Sequence, residues 1–492
     1  MLPKDPREAT IALGLAATLI LIWTSLFSLR GPGLFYEPQP SLQLLAGEEK
    51  DSQFLHQAFA VEFPSPMNHT PIRDVCLSTS DMYKEGDGKG IAKGRFRPGL
   101  LFSCENQHGG LGMVRNQLLK CIRYAIHAGA ALIVPSMAKR NDKDIADIET
   151  STAVPLEYLF DREMFIAQLE GACPGMRLFN SAEEFPFYEE RVGGEMLGLE
   201  LVGDEFEPGR PREGIEYPEK WRGEFDDWLD NKGVRYSAEK PVHVKIGQAY
   251  LEYNVHSDSP DFVSEFGKIL SFRADTRALA ARVLLQIKVH FGLDIDPSRA
   301  VNGNAFFGAH LRLEKDAIEA WTVDEGWVFS EREKQFESVW SEVKRSGLGV
   351  VYVATGEEEI VRAFEEYVAR KLDQEVEDGD VEKRRDISIV TKHTLLSGSE
   401  RDLAKLDKMT FDQQALVDFL IMFKASFFAG VAHSSFPWTV ALRRHELSTY
   451  RDERGLGYEN LGSDILRDEL SVILGERAEY PYVDPFEWGL WP

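Results

Sequence analysis

Apolar positions along the chain change character three times. Ile11 to Leu29 is one uninterrupted run, IALGLAATLILIWTSLFSL, without a charged side chain. As a helix it reaches about 28 Å, close to the hydrocarbon thickness of a bilayer. Residues 30–99 hold scattered Pro and Gly with no sustained period, the pattern of a stem. From Leu100 onward, short apolar runs alternate with longer amphipathic stretches, the pattern of open α/β sheets.

LLFS (100–103) and ALIVP (131–135) predict strands on either side of a helix over about 113–127. Residues 179–240 are dense in Glu, Asp, Gly and Pro and predict an irregular acidic insertion, either beside an acceptor or a solvated loop. A helix over 276–291 is followed by GLDIDPSRAVNGN, a boundary near 295–300. A second series then runs AFFGAHLRL, helix 330–345, GVVYVATG, helix 358–371, ISIVTK, helix 412–425 and SFFAGVA. Strands recurring with helices between them imply parallel, doubly wound sheets. The expected fold is therefore α/β: two Rossmann-like lobes, 100–295 and 300–450, facing each other in the GT-B manner behind an N-terminal transmembrane helix. Residues 451–492 are expected to pack back on the lobes.

The chain has 492 residues, more than one ordinary core accommodates. Its 43% hydrophobic and 28% charged residues are those of a globular protein. A formal charge of -25 argues against a partner that is nucleic acid, so any anionic ligand must be held by a few local Arg residues and backbone N–H groups. Cys76, Cys104, Cys121 and Cys173 contain no CxxC pair, which argues against a zinc ribbon or thioredoxin-type site. They form either up to two disulfides, in a lumenal protein, or buried thiols.

Lys4, Arg7 and the terminal amine precede the apolar run, while on its other side Arg30 is followed by Glu37, Glu48 and Glu49. This places residues 1–10 in the cytoplasm and the remainder in the lumen. The run exceeds the apolar core of a signal peptide, about 7 to 15 residues, so it reads as a membrane anchor at 11–29 rather than a cleaved segment. Asn68-His69-Thr70 is an N-glycosylation sequon.

Three segments carry candidate chemistry. In His108-Gly109-Gly110-Leu111-Gly112-Met113-Val114-Arg115-Asn116-Gln117, between a strand and a helix, glycines let the backbone approach a ligand or simply form a tight turn. In AFFGAHLRL, alternation puts His310 and Arg312 on one side of a strand, at the end where open sheets bind ligands. Arg312 either holds a diphosphate or pairs with Glu314 or Asp316. In GVAHSSFPWTVALRR, Ser434 or Ser435 caps a helix whose first-turn N–H groups could equally accept a phosphate. Asp294-Ile295-Asp296 and Asp378-Gly379-Asp380 read as solvated loops rather than metal ligands. Glu105 and His108 are candidate general bases by position. No GxSxG elbow or HExxH is present, which argues against a hydrolase.

Together, GGLGMVRNQ, HLR and the spacing from Asp418 to Ser434-Ser435-Phe436 resemble the GDP-fucose protein O-fucosyltransferase superfamily, over about 100–444. The resemblance implies that Arg312 contacts the β-phosphate and is catalytic. His310 and Asp418 would lie near guanine and ribose, and Ser434, Ser435 and Phe436 around the phosphates and base. Arg115 or Asn116 would face the sugar, and Gly110 and Gly112 would belong to the GDP-sugar site. It also implies inverting transfer from GDP-fucose to a protein or glycan hydroxyl, with no cofactor and no metal, at a Golgi or endoplasmic reticulum membrane. The Gly-rich loop and the continuation LEKD after HLR depart from the family forms. Two alternatives therefore stand: a transferase using another GDP-sugar, and an inactive membrane-tethered sugar- or glycoprotein-binding protein.

Overall fold

The computed structural model describes residues 49–60, 62, 66–81, 96–105, 107–141, 152–188, 197–201, 221–247, 253–320, 322–379, 385–449, 465–475 and 489–492. The expected tail 1–10 and anchor 11–29 lie outside the described residues, as does 202–220 of the acidic stretch.

Strand β1, Leu100–Cys104, is buried at every position, as a parallel strand covered on both faces must be. It lies in a sheet with β2 (Ala131–Ile133), β5 (Leu178–Phe179), β6 (Leu197–Leu201) and β7 (Val242–Ile246), in the order β5-β2-β1-β7-β6. All pairings are parallel. The hairpin β3 (Ser136–Lys139) and β4 (Thr152–Pro155) stands apart. The second sheet contains β8 (Phe307–His310), β9 (Val350–Ala354), β10 (Ser388–Val390), β11 (Phe427–Val431), β12 (Leu466–Arg467) and β13 (Ser471–Leu474), in the order β10-β9-β8-β11-β13-β12. Only β12 is antiparallel to its neighbour. The expectation of two parallel α/β sheets is met.

In the first sheet the chain leaves β1 for β2 on one side and later places β7 on the other. The second sheet treats β8 the same way, with β9 and β11 as neighbours. The loops after β1 and β8 therefore leave from topological switch points, where an open sheet has a crevice.

Ten helices are used below. They are α1 (Glu49–Ala60), α2 (Thr70–Asp81), α3 (Leu111–Ala128), α4 (Trp221–Asn231), α5 (Pro260–Phe266), α6 (Ala274–Phe291), α7 (Arg332–Ser346), α8 (Glu358–Glu377), α9 (Phe411–Lys424) and α10 (Ser435–His445). In α3 every residue but His127 is buried, and Gly129 in the left-handed region (φ 64°) ends it. The expected helices 276–291, 330–345, 358–371 and 412–425 appear as α6, α7, α8 and α9, with ends shifted by a few residues.

Two expectations are corrected. The stretch 30–99 is not wholly a stem: Leu55 and Phe59 of α1 and Ile72 and Cys76 of α2 are buried, and Cys76 is disulfide-bonded to Cys173. A second disulfide joins Cys104 at the end of β1 to Cys121 of α3, so the cysteines are paired. The acidic stretch 179–240 is not wholly irregular. It supplies the edge strand β6 and α4, whose Trp221, Phe225 and Trp228 recur at helical spacing. Trp221 stacks on Tyr124 (4.8 Å) and Phe225 (5.2 Å). Acidic residues on the solvent side of α4 concealed this apolar stripe. Within the described part of the C-terminal segment, β12 and β13 extend the second sheet, and Trp491 is buried against Tyr253, Phe262 and Phe266 of the first lobe.

Arg444 of α10 fastens the second lobe. It donates to Phe423 O (2.9 Å) and Ala425 O (2.8 Å) at the C-terminal end of α9, and to Leu470 O (2.8 Å) and Ser471 Oγ (2.9 Å) beside β13. Burial lowers its pKa to about 10, which leaves it charged at neutral pH. Replacing Arg444 by Ala strands these carbonyls without a donor and is expected to cost about 3 kcal/mol or more. A urea unfolding midpoint unchanged from wild type would contradict this.

Candidate active site

A cavity of about 450 Å³ lies where the C-terminal ends of β8, β9 and β11 face the N-terminal end of α3. Gly109, Gly110, Leu111 and Met113 form its first-lobe wall with Arg140, and His310, Arg312, Asp418, Ser434, Ser435 and Phe436 line it from the second lobe.

Strand β8 stops at His310, so Arg312 stands in the loop beyond it. Gln335 of α7 fixes that loop: its Oε1 accepts the Arg312 N–H (3.1 Å) and its Nε2 donates to Arg312 O (3.0 Å). The guanidinium donates from Nη1 to Glu314 (2.7 Å) and Asp316 (2.9 Å), and from Nη2 to Asp316 (2.5 Å). Arg312 is thus paired with both carboxylates, and it also lines the cavity. Glu314 is itself anchored by the Gly356 N–H (2.8 Å) and Thr355 Oγ1 (3.1 Å). Burial pushes the Glu314 carboxyl up, but Arg312 and the Gly356 N–H outweigh it and hold the pKa at about 2. Burial likewise opposes the charge on Arg312, and Glu314 and Asp316 more than offset it, so its pKa is raised.

The His310 ring stacks on Phe436 at 4.7 Å with an interplanar angle of 11°, and Phe436 meets Phe419 edge-on. Burial lowers the His310 pKa to about 4 and that of His433 to about 3, so both imidazoles are neutral near pH 7. On α9, Asp418 accepts from Tyr352 Oη and Lys392 Nζ, each at 2.7 Å.

Ser434 occupies the N-cap position of α10, but its side chain makes no capping hydrogen bond. This corrects the simple capping reading. The first-turn N–H groups have no acceptor within the helix, and Ser435 and Phe436 bring that turn to the cavity wall. A helix N-terminus so placed favours an anion.

The Gly-rich loop divides its roles. Gly109 has φ 118° and Gly110 lies on the cavity wall. A Cβ on Gly112 would stand 2.6 Å from Ser435 O, so this glycine lets α3 approach α10. Arg115 and Asn116 do not face the cavity, contrary to expectation. Arg115 donates to Trp491 O (2.8 Å) and Pro492 O (2.7 Å), and Asn116 donates to Gly489 O (2.8 Å). The helical turn carries positions 115 and 116 away from the face that presents Leu111 and Met113. Glu105 and His108 do not line the cavity either; Glu105 accepts from Ser103 Oγ at 2.6 Å.

Arg140, Lys392, Phe411 and His433 line the cavity without having been singled out beforehand. His433 sits inside the motif that drew attention to its serines, whereas Arg140 lies between the two strands of an isolated hairpin and has no local signature. Among the described residues no group of three or more His, Cys, Asp or Glu side chains is arranged to hold a metal ion.

The profile of the family described as GDP-fucose protein O-fucosyltransferase matches residues 100–447. The chain belongs to this family of fucosyltransferases. Among solved structures, POFUT1 in complex with GDP is similar at 17% identity, covering 72% of this chain and 96% of that one with a TM-score of 0.39. POFUT1 in complex with GDP-fucose is similar at 14% identity, covering 78% and 100% with a TM-score of 0.42. The fucosyltransferase NodZ from Bradyrhizobium is similar at 14% identity, covering 71% and 93% with a TM-score of 0.32. A comparison with curated protein sequences finds no match.

The buried imidazole makes a pH prediction. The folded state keeps His310 neutral down to about pH 4, whereas the unfolded chain protonates it near 6.5. The unfolded state therefore binds the extra proton, and stability is lost as pH falls from 6.5 towards 4. A His310→Phe variant should show a shallower decline over that window, by up to about 3 kcal/mol. Identical slopes in denaturant titrations at pH 7 and pH 4.5 would contradict it.

Proposed function

We propose that this protein transfers fucose from GDP-fucose to a hydroxyl of a protein or glycan acceptor, with inversion and without a metal ion, in a GT-B arrangement of its two lobes. The observation that carries the reading is Arg312, a largely but not fully buried cation on the cavity wall beside the first turn of α10. The cavity volume lies within the range of small-molecule sites, about 300–1,000 Å³.

In this reaction the acceptor oxygen bonds to the anomeric carbon as its bond to the β-phosphate oxygen breaks. GDP leaves with the bonding pair, and the hydroxyl proton is released. Charge develops on the diphosphate, so donors aimed there stabilise the transition state more than the ground state. Arg312 and the N–H groups of Ser435 and Phe436 are such donors, and they supply the positive potential without a divalent ion. Ser434 adds a hydroxyl to the phosphate side. Asp418 is suited to accept the N–H groups of guanine, with neutral His310 and Phe436 as its stacking surface. Gly110 would border the sugar.

The apolar run 11–29 is proposed as a single-pass anchor with the lobes in the Golgi or endoplasmic reticulum lumen. The disulfides Cys76–Cys173 and Cys104–Cys121 support an oxidising compartment, and Asn68 of the sequon is exposed. No helix among the described residues is long and apolar enough to cross a membrane.

Calorimetric titration with GDP, GDP-fucose, GDP-mannose and UDP-glucose in EDTA tests the donor site. Guanine-selective binding is expected, and Arg312→Ala should lower turnover of GDP-fucose by about 100-fold or more. Folded wild-type protein that binds no GDP, or an Arg312→Ala variant that turns over normally, would refute the assignment.

A further inference from the structure

Among the described residues, the first lobe contributes one cation to the cavity wall, Arg140, immediately after β3. Its guanidinium reaches the second lobe, where Nε (3.0 Å) and Nη2 both donate to Oδ1 of Asp412 in the first turn of α9. Nη1 donates to no described residue. The side chains are 10% and 8% exposed, so the pair is largely withdrawn from solvent.

Arg140 and Arg312 stand on one continuous wall. The Arg140 guanidinium lies 5.1 Å over the Phe411 ring. Phe411 presses against the backbone of Gly356, where a Cβ would stand 2.1 Å from its Cε2. The Gly356 N–H donates to one oxygen of Glu314, whose other oxygen holds Arg312. Any shift of Phe411 would therefore be felt by both arginines.

We propose that Arg140 is a donor-binding residue supplied by the first lobe, closing on the diphosphate that Arg312 holds from the second. The inference rests on the GDP-sugar reading above and extends it by naming the first-lobe contact. Arg140 is suited to this because a guanidinium presents several donors in one plane and can serve a phosphate and a carboxylate along different edges. Arg312 is held by two carboxylates, whereas Arg140 is held through a single oxygen of one. Among the described residues, phosphate oxygens therefore compete for the Arg140 hydrogen bonds with Asp412 alone. Neutralising Asp412 should favour the donor, and removing Arg140 should disfavour it.

The test is calorimetry of the full chain with GDP, comparing wild type, Arg140→Ala and Asp412→Asn, with thermal melting to confirm folding. The expected result is GDP affinity at least about 10-fold weaker for Arg140→Ala, with Asp412→Asn binding GDP as tightly as wild type or more tightly. Unchanged affinity in Arg140→Ala would overturn the inference while leaving the donor site intact. So would an equal loss in both variants, because the ion pair would then only brace the lobes. If Arg140→Ala does not fold, Asp412→Asn decides alone: maintained or tighter binding supports the proposal, and weaker binding overturns it. Wild-type protein that fails to bind GDP would sink the underlying donor reading, and this inference with it.

Discussion

A guanidinium held between two carboxylates at the end of β8 organises the second lobe's share of the cavity. Removing either partner of a buried ion pair leaves an uncompensated charge, typically at a cost of about 3–5 kcal/mol. Arg312, Glu314 and Asp316 are therefore bound to one another, and Glu314 is bound in turn to the backbone of Gly356 after β9. The network gives a physical reason for the segment Leu313-Glu314-Lys315-Asp316 that follows the strand: it supplies the acids that keep a largely buried arginine charged and oriented. A positively charged group so preorganised does not have to be assembled when a substrate arrives.

The fold delivers this arginine to a place where a ligand can reach it. Both sheets reverse direction around their central strands, and the loops leaving β1 and β8 open on the same cavity. Close contact between α3 and α10, permitted by the missing side chain at Gly112, makes the wall a joint product of the two lobes. Glu62 adds a third tie, because its carbonyl accepts from Arg443 of α10 while its carboxylate accepts the Phe272 N–H of the first lobe at 3.2 Å. Segments far apart in sequence thus hold the lobes in register.

The second lobe was the more legible half of the sequence. Its strands are short apolar runs between strongly amphipathic helices, so His310, Arg312, Asp418 and Phe436 could be placed on one end of the sheet from periodicity and motif together. The first lobe was harder to read for three distinct reasons. The helices α1, α2 and α4 are short and lie among prolines or acidic residues that mask their apolar stripes. The direction taken by Arg115 and Asn116 depends on Trp491 and its neighbours, more than 370 positions away, which no local pattern reveals. Arg140 likewise acquires its meaning only from Asp412, 272 positions on. Ser434 shows the opposite error, since the residue type best suited to cap a helix leaves that cap unmade and faces the cavity.

The most direct test of the account is a crystal structure of the protein with GDP, grown in the presence of EDTA. The account predicts the diphosphate in the cavity, with β-phosphate oxygens about 2.7–2.9 Å from the Arg312 guanidinium and within reach of the first-turn N–H groups of α10. Glu314 should still hold Arg312 from its other edge. Nucleotide bound outside the cavity, or a diphosphate turned away from Arg312 while its pair with Asp316 stays intact, would contradict it.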